Sequence, residues 1–160
     1  MKRLHVVTIC LGNICRSPLM EALLRQAWEQ HSARPPDLQL TVESAGLNPM
    51  LDYPTQEAVL TGRELGVDIV EHRSRQVDAA MAARADVLVT ATASMMASLT
   101  GRFEKRGRVC TFAELAGEAP ADIEDPYGRT LARYREVALQ IQRYARASVP
   151  RLIALSAEEK

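Results

Sequence analysis

Apolar and polar residues follow one another along this chain in blocks typical of strands alternating with helices. Residues 4–10 are apolar and rich in β-branched side chains, which predicts a buried central strand. From Ser17 to about His31 the apolar residues recur at helical spacing, with Ser17 suited to the cap and Pro18 to the first turn. The chain therefore opens with a strand, a short turn and a helix.

The same alternation continues to the end of the chain. Further strands are predicted at residues 38–44, 86–91 and 108–112. Helices are predicted at residues 55–65, 77–85, 94–99 and 130–148, and a loop rich in proline and aspartate at 117–128. Short connections between such elements predict one three-layer α/β domain spanning 1–160, with a four-stranded, mostly parallel sheet between helices. Ligands of such sheets bind beyond the carboxyl ends of the strands.

Composition narrows the class of protein. The 160 residues are 47% hydrophobic and 25% charged, as in an ordinary globular domain. Twenty basic and twenty acidic residues cancel, so neither a nucleic acid nor a membrane is expected as a partner. No secretory signal or long apolar span is apparent, and three cysteines do not suit a disulfide framework. We expect a cytoplasmic protein that is a monomer or a weak homo-oligomer.

The turn after the first strand carries the chemistry. Five residues separate Cys10 from Arg16, enough to wrap around one tetrahedral anion. Gly12 and Asn13 tolerate positive φ, which turns successive backbone N–H groups inward. Arg16 can clamp two phosphate oxygens, and the following helix adds its positive end. The predicted phosphate-binding residues are Leu11, Gly12, Asn13, Ile14, Cys15, Arg16 and Ser17.

Cys10 would lie at the base of this electropositive loop. Helix N-termini and nearby cations favour the ionised thiolate, which is a competent nucleophile. A cysteine that ends a strand is more often a small core residue, but here it combines with glycine, asparagine, arginine and Ser-Pro in one loop. No Walker-type loop is present, and no downstream Cys/His pair suits zinc. We expect phosphoryl transfer to Cys10 followed by hydrolysis, without metal or cofactor.

The segment VTICLGNICRSP resembles the phosphate-binding loop of the low-molecular-weight protein tyrosine phosphatases, and the resemblance extends along the chain to Asp125-Pro126-Tyr127. It implies a four-stranded parallel sheet with helices on both sides, a phosphorylated protein as substrate, and a cysteinyl-phosphate intermediate. By resemblance, Cys10 is the nucleophile, Arg16 the phosphate clamp, and Ser17 the hydroxyl that hydrogen-bonds the thiolate.

The departing oxygen needs a proton, and a carboxylic acid on a loop can supply it. Asp122, Glu124 and Asp125 cluster, and like charges favour keeping one proton. An acidic solvated turn before a helix is the plain alternative. The match to the family's Asp-Pro motif makes Asp125 the expected general acid and base, with Asp122 and Glu124 facing outward.

Several supporting residues have two possible roles. The resemblance implies that Asn13, held in a strained conformation, forms a network with Ser17, Ser44 and His72. Alternatively, Ser44 only ends a strand and His72 is an exposed loop residue. Cys15 could trap an oxidised Cys10 as a disulfide or simply pack into the core. Cys110 is expected as a buried strand residue.

Selectivity should come from the depth and walls of the site, for which Leu11, Ile14 and Tyr127 are the candidates. A deep site favours phosphotyrosine over the shorter phosphoserine. The compact acid loop also resembles that of a related branch of protein-arginine phosphatases, so phosphoarginine is the alternative substrate. That branch tends to carry a smaller threonine at the position of Ile14, and because Ile14 should exclude the branched guanidinium, phosphotyrosine is favoured.

Two other functions are less favoured. An arsenate reductase would need a downstream cysteine pair. A phosphate-binding recognition module would need neither a thiolate nor an acid. The loop at 47–54 lacks the family's frequent tryptophan, which leaves peptide preference open.

Overall fold

The computed structural model describes residues 1–104 and 107–158. Its centre is a four-stranded parallel sheet in the order β2-β1-β3-β4. The strands are β1 (Lys2–Cys10), β2 (Leu38–Gly46), β3 (Val87–Thr90) and β4 (Arg108–Thr111). The apolar run predicted as the central strand is β1, which is paired on both sides.

Helices cover both faces of this sheet. They are α1 (Arg16–Gln30), α2 (Gln56–Glu64), α3 (Ala79–Arg84), α4 (Ala93–Arg102), α5 (Phe112–Leu115) and α6 (Leu131–Glu158). Helices α1 and α6 pack against each other, and α6 also contacts α2 and α5. The chain runs one way along the sheet from β1 to β2, and the opposite way from β2 past β1 to β3 and β4. Since crossovers between parallel strands are right-handed, this reversal puts α1 on one face and α3 and α4 on the other. The predicted α/β fold is confirmed.

Strand register places the turn that follows β1 at the carboxyl end of the sheet. Val6, Val7 and Ile9 of β1 are fully buried, which fixes the strand in the core. Cys10, the last residue of β1, lies opposite Gly46 of β2. Neighbouring Ile9 lies opposite Thr90 of β3. The turn that follows Cys10 therefore emerges between two strand ends.

The sequence predictions are wrong at the starts of two helices, α1 and α5. Helix α1 begins at Arg16 with Cys15 as its N-cap, so Ser17 lies inside the helix and does not cap it. Its hydroxyl instead faces the sulfur of Cys10. Phe112, predicted to end a strand, begins the short helix α5, which Thr111 starts with a capping box to Glu114.

The last helix is longer than predicted. It continues past Ser148 to Glu158 with Pro150 inside it. Val149 and Leu152 are fully buried on either side of the proline, and their packing offsets the lost backbone hydrogen bond. In the portion of the chain with described structure, no helix has the length and apolarity to span a membrane.

Candidate active site

The turn between β1 and α1 closes around the sulfur of Cys10. The backbone N–H of Asn13 donates to this Sγ over 3.2 Å, and the Ser17 Oγ lies 3.0 Å from it. Both neighbours direct polar groups at a sulfur that lies at the positive end of α1. Hydrogen bonds of this kind favour the anionic form of a thiol.

Asn13 shapes this turn through its backbone and its side chain. Its φ of 57° is left-handed, whereas Gly12 does not take a positive φ. The buried side-chain amide donates to Ser17 Oγ at 2.7 Å and to Ser44 Oγ at 3.1 Å. Its Oδ1 accepts from the backbone N–H of Arg75 at 3.0 Å. These three bonds hold the turn in its left-handed conformation and bring Asn13, Ser17 and Ser44 together.

His72 joins the same network from the loop after α2. Its Nε2 lies 2.8 Å from the backbone carbonyl oxygen of Asn13, which can only accept, so Nε2 carries the proton. Burial lowers the pKa of His72, and the bond to Asn13 opposes that shift only in part. The imidazole is therefore neutral around pH 7, and it holds the turn through a neutral N–H.

The loop after β2 supports the turn from the side. The backbone N–H of Leu47 donates to Cys10 O at 3.0 Å, and that of Asn48 to Leu11 O at 2.9 Å. A side chain at Gly46 would place its Cβ 2.8 Å from Leu11 O and 3.0 Å from the Cβ of Asn13. Only glycine permits this approach, a requirement that the sequence reading missed.

Arg16 links the turn to the acidic loop before α6. Its buried guanidinium donates through Nη1 to the carbonyl oxygen of Ile123 at 2.9 Å. Its Nη2 lies 3.6 Å from Asp125 Oδ2, and the Asp125 side chain is 49% exposed. The other oxygen, Oδ1, accepts from the backbone N–H of Tyr127. Residues far apart in the chain thus meet, with the carboxylate at the opening rather than at the base.

These residues line a cavity of about 380 Å³. The expected walls Leu11, Ile14 and Tyr127 all contribute to it, together with Cys10, Arg16 and Asp125. The lining residues are Cys10, Leu11, Gly12, Ile14, Cys15, Arg16, Asn48, Met50, Leu51, Asp125 and Tyr127. The sequence reading missed Asn48, Met50 and Leu51, because nothing in a loop sequence specifies which way it folds.

The other two acidic residues of the loop lie outside the lining of this cavity. Asp122 is exposed and accepts from the backbone N–H of Ala93 at the start of α4. Glu124 is 3.7 Å from Arg133 at the start of α6. These contacts fix the loop at both ends and leave Asp125 as the carboxylate beside Arg16.

Cys15 lies in the cavity lining, and its sulfur faces two hydroxyl groups. Its Sγ is 3.4 Å from Thr55 Oγ1 and 3.4 Å from the hydroxyl of Tyr134. Burial raises the pKa of Cys15 despite those two bonds. Cys10, Cys15 and Cys110 are all free thiols, and Cys110 is half-buried on β4 rather than buried as predicted. Thr55 and Tyr134 were anticipated only as helix residues.

The arrangement is suited to holding a tetrahedral oxyanion between backbone N–H groups and a guanidinium, with a sulfur at its base and a carboxylate at its opening. Across residues 1–104 and 107–158, no cluster of three or more His, Cys, Asp or Glu side chains is placed to bind a metal ion. The polar groups that line the cavity include the thiol of Cys10, the guanidinium of Arg16 and the carboxylate of Asp125.

An α/β fold with such a loop after its central strand is suited to a protein that binds phosphate groups. Residues 5–157 match the family model described as low molecular weight phosphotyrosine protein phosphatase. The chain belongs to this family, and it is an enzyme rather than a binding-only module. The resemblance seen in the first loop is thereby confirmed.

Curated relatives carry the same family name. The chain is 34% identical over 152 residues to a probable low molecular weight protein-tyrosine-phosphatase, EpsP, from Ralstonia solanacearum, covering 94% of this chain and 97% of that one. It is 30% identical over 141 residues to the low molecular weight protein-tyrosine-phosphatase Ptp of Acinetobacter johnsonii, covering 86% and 90%.

Two solved structures are similar to this chain over most of its length. The Vibrio vulnificus protein Wzb in complex with benzylphosphonate matches with a TM-score of 0.80 at 25% identity, covering 92% of this chain and 97% of that one. YwlE, described as an arginine phosphatase in a cysteine-to-serine mutant with a phosphorylated active-site serine, matches with a TM-score of 0.80 at 25% identity, covering 93% and 95%.

Proposed function

We propose that this phosphatase hydrolyses phosphotyrosine in proteins, and aryl phosphates, through a cysteinyl-phosphate intermediate on Cys10. The observation that carries the proposal is the position of the Cys10 sulfur, which receives the backbone N–H of Asn13 and faces Ser17 at the base of the cavity. A sulfur that only filled the core would need neither contact.

In the first step the Cys10 thiolate attacks phosphorus in line with the departing oxygen. The sulfur–phosphorus bond forms as the bond between phosphorus and the tyrosyl oxygen breaks. Asp125, protonated, gives its proton to that oxygen, so the product leaves as a neutral phenol. Arg16 and the N–H groups of the loop hold the equatorial oxygens and stabilise charge in the transition state.

In the second step a water molecule attacks the cysteinyl phosphate. Asp125, now a carboxylate, takes the proton of the water, and the sulfur–phosphorus bond breaks. Inorganic phosphate leaves and the thiolate of Cys10 is restored. The hydroxyl of Ser17, 3.0 Å from the sulfur, can donate to that thiolate as it departs from phosphorus.

The proposed choice of phosphotyrosine rests on the walls of the cavity. Ile14 and Leu11 are apolar, and Tyr127 stands 53% exposed at the opening, where its ring can lie against a phenyl group. Phosphoarginine is the second candidate, because a structural neighbour is described as an arginine phosphatase. Ile14 narrows the cavity against the branched guanidinium, which favours the aryl substrate.

A substrate panel with two cysteine variants tests the proposal. The parent protein is expected to hydrolyse a phosphotyrosyl peptide faster than the matching phosphoarginyl peptide. The Cys10→Ser variant is expected to lose turnover of both. The matched control Cys110→Ser, a half-buried strand residue, should retain it. Parental rates in Cys10→Ser would refute the nucleophile, and faster phosphoarginine hydrolysis would favour the second candidate.

A further inference from the structure

Exposed apolar side chains are concentrated beside the catalytic cavity. Of the nine large hydrophobic residues exposed among those described, seven line either that cavity or a second, neighbouring groove. They are Leu11, Met50, Leu51, Tyr53, Leu60, Val70 and Tyr127. Exposed apolar side chains gathered in one region of a protein surface mark a binding site.

The second groove has a volume of about 500 Å³, and we call it the flanking groove. It is formed by Tyr53, Pro54, Gln56, Val59, Leu60, Arg63, Val70, Glu71 and Arg73. The loop at 47–54 connects it to the catalytic cavity, since Met50 and Leu51 line the cavity and Tyr53 and Pro54 line the groove. A chain leaving the cavity over this loop would enter the flanking groove.

The flanking groove contains two cationic side chains, Arg63 and Arg73, and one acidic side chain, Glu71. The Arg73 guanidinium stacks over the Tyr53 ring, 4.3 Å from its centroid. Its hydrogen bonds go to the backbone carbonyls of Val70 and His72 rather than to a carboxylate. Arg63, by contrast, has Asp68 at 3.3 Å. Arg73 is therefore a fixed cation able to accept a carboxylate from outside.

We propose that the flanking groove binds the substrate polypeptide beside its phosphorylated residue, with an apolar side chain against Leu60 and Val70 and an acidic side chain at Arg73. This rests on the proposed function. The catalytic cavity has room for the phosphorylated side chain, so the adjoining backbone must cross its rim. Two of the four exposed apolar side chains that line the cavity, Met50 and Leu51, lie on the loop that leads to the groove.

The experiment compares p-nitrophenyl phosphate, which has no flanking chain, with phosphotyrosyl peptides of equal length. One peptide carries apolar and acidic flanking residues, and the other only glycine and serine. The Leu60→Ser variant should raise KM for the first peptide about fivefold, as expected for losing a half-exposed apolar contact, and leave p-nitrophenyl phosphate unchanged. Leu139→Ser is the matched control, since Leu139 is 54% exposed and Leu60 44%.

A charge exchange tests Arg73. A third peptide replaces the acidic flanking residue with lysine, and the ratio of kcat/KM for the acidic and basic peptides is measured. The ratio should exceed one in the parent and fall at least threefold in Arg73→Glu, by exchange of attraction for repulsion. Because both peptides are measured on the same variant, a disturbance of the nearby catalytic loop lowers both kcat/KM values and cancels in their ratio.

Three outcomes would overturn the flanking groove as a peptide site. These are unchanged peptide KM in Leu60→Ser, a charge ratio unaffected by Arg73→Glu, and sedimentation showing that Leu60→Ser dissociates a dimer while peptide kinetics stay constant. The last would assign the surface to a second copy of this chain. Failure of the parent to hydrolyse p-nitrophenyl phosphate would instead refute the proposed function.

Discussion

The Nε2 atom of His72 lies 2.8 Å from the backbone carbonyl oxygen of Asn13, so a residue 59 positions away holds the left-handed turn that follows β1. Asn13 is the only non-glycine residue with positive φ in the described chain. Strained backbone of this kind persists only where its surroundings fix it. The protonation state of the His72 imidazole is thereby coupled to the conformation of this turn.

Acid should weaken this protein through His72. Burial lowers the pKa of His72 below its ordinary 6.5, so between the lowered value and 6.5 the unfolded chain binds more protons than the folded one. The free energy of unfolding therefore falls as the pH drops through that window. Denaturant titrations at pH 7 and pH 5 would measure the loss.

The variant His72→Gln isolates this contribution, because glutamine offers an N–H donor but does not titrate. We expect a smaller loss of stability between pH 7 and pH 5 in this variant than in the parent. Burial opposes ionisation of Glu43, but Arg84 and His5 lower its pKa overall. Protonation of Glu43 therefore changes the free energy of unfolding only at lower pH than protonation of His72. An identical loss in both proteins would remove His72 as the cause.

The Asp125→Asn variant should lose activity in proportion to the leaving group's need for a proton. With phenyl phosphate, kcat should fall by about 10²–10⁴, the usual contribution of a general acid. With p-nitrophenyl phosphate the fall in the first step should be smaller, because that phenolate leaves unaided. Burst kinetics on both esters measure this step, and an equal loss on the two would argue against a proton donor. Asp122→Asn, outside the cavity lining, is the control.

Gly46 should be intolerant of a methyl group. The Gly46→Ala variant would force its Cβ to within 2.8 Å of Leu11 O, costing about 1–3 kcal/mol and displacing the loop. The midpoint temperature of thermal denaturation and kcat should both be lower than in the parent protein. Gly101→Ala is the control, since Gly101 is an exposed position of α4 where a Cβ would meet nothing within 4 Å. This substitution should leave stability unchanged or raise it, because alanine favours a helix more than glycine does. Similar losses in the two variants would show that the close approach is unimportant.

Alkylation should distinguish the three cysteines. Burial raises the pKa of Cys15 and raises that of Cys110 to about 12, so both remain protonated near neutral pH. Limited iodoacetamide at pH 7 should therefore inactivate the protein by modifying Cys10, which opens to the cavity. Peptide mass spectrometry locates the label, and inorganic phosphate should slow its incorporation. Modification first at Cys15 would contradict this expectation.

The central strand of the sheet could be predicted because it is a nearly continuous apolar run, as Val6, Val7 and Ile9 illustrate. The short helix α5 was also within reach, since Thr111 and Glu114 have the spacing of a capping box. The end of α6 was not, because the burial of Leu152 offsets Pro150 only once the tertiary structure exists.

Within the site, the residues of one local loop were readable from their types and spacing. Cys10, Arg16 and Asp125 were expected together, and the structure brings them to one cavity. Thr55 and Tyr134 beside Cys15 could not be foreseen, because the contacts join segments 40 and 119 residues away. Long-range contacts of this kind depend on how helices pack, which a local pattern does not encode.

The bond from Arg16 to the carbonyl of Ile123 spans 107 residues. During synthesis the loop around the Cys10 sulfur is therefore made long before the carbonyl group that holds the Arg16 guanidinium in place. The orientation of this guanidinium depends on the acidic loop before α6, so it is acquired only when that later segment has folded against the rest of the chain.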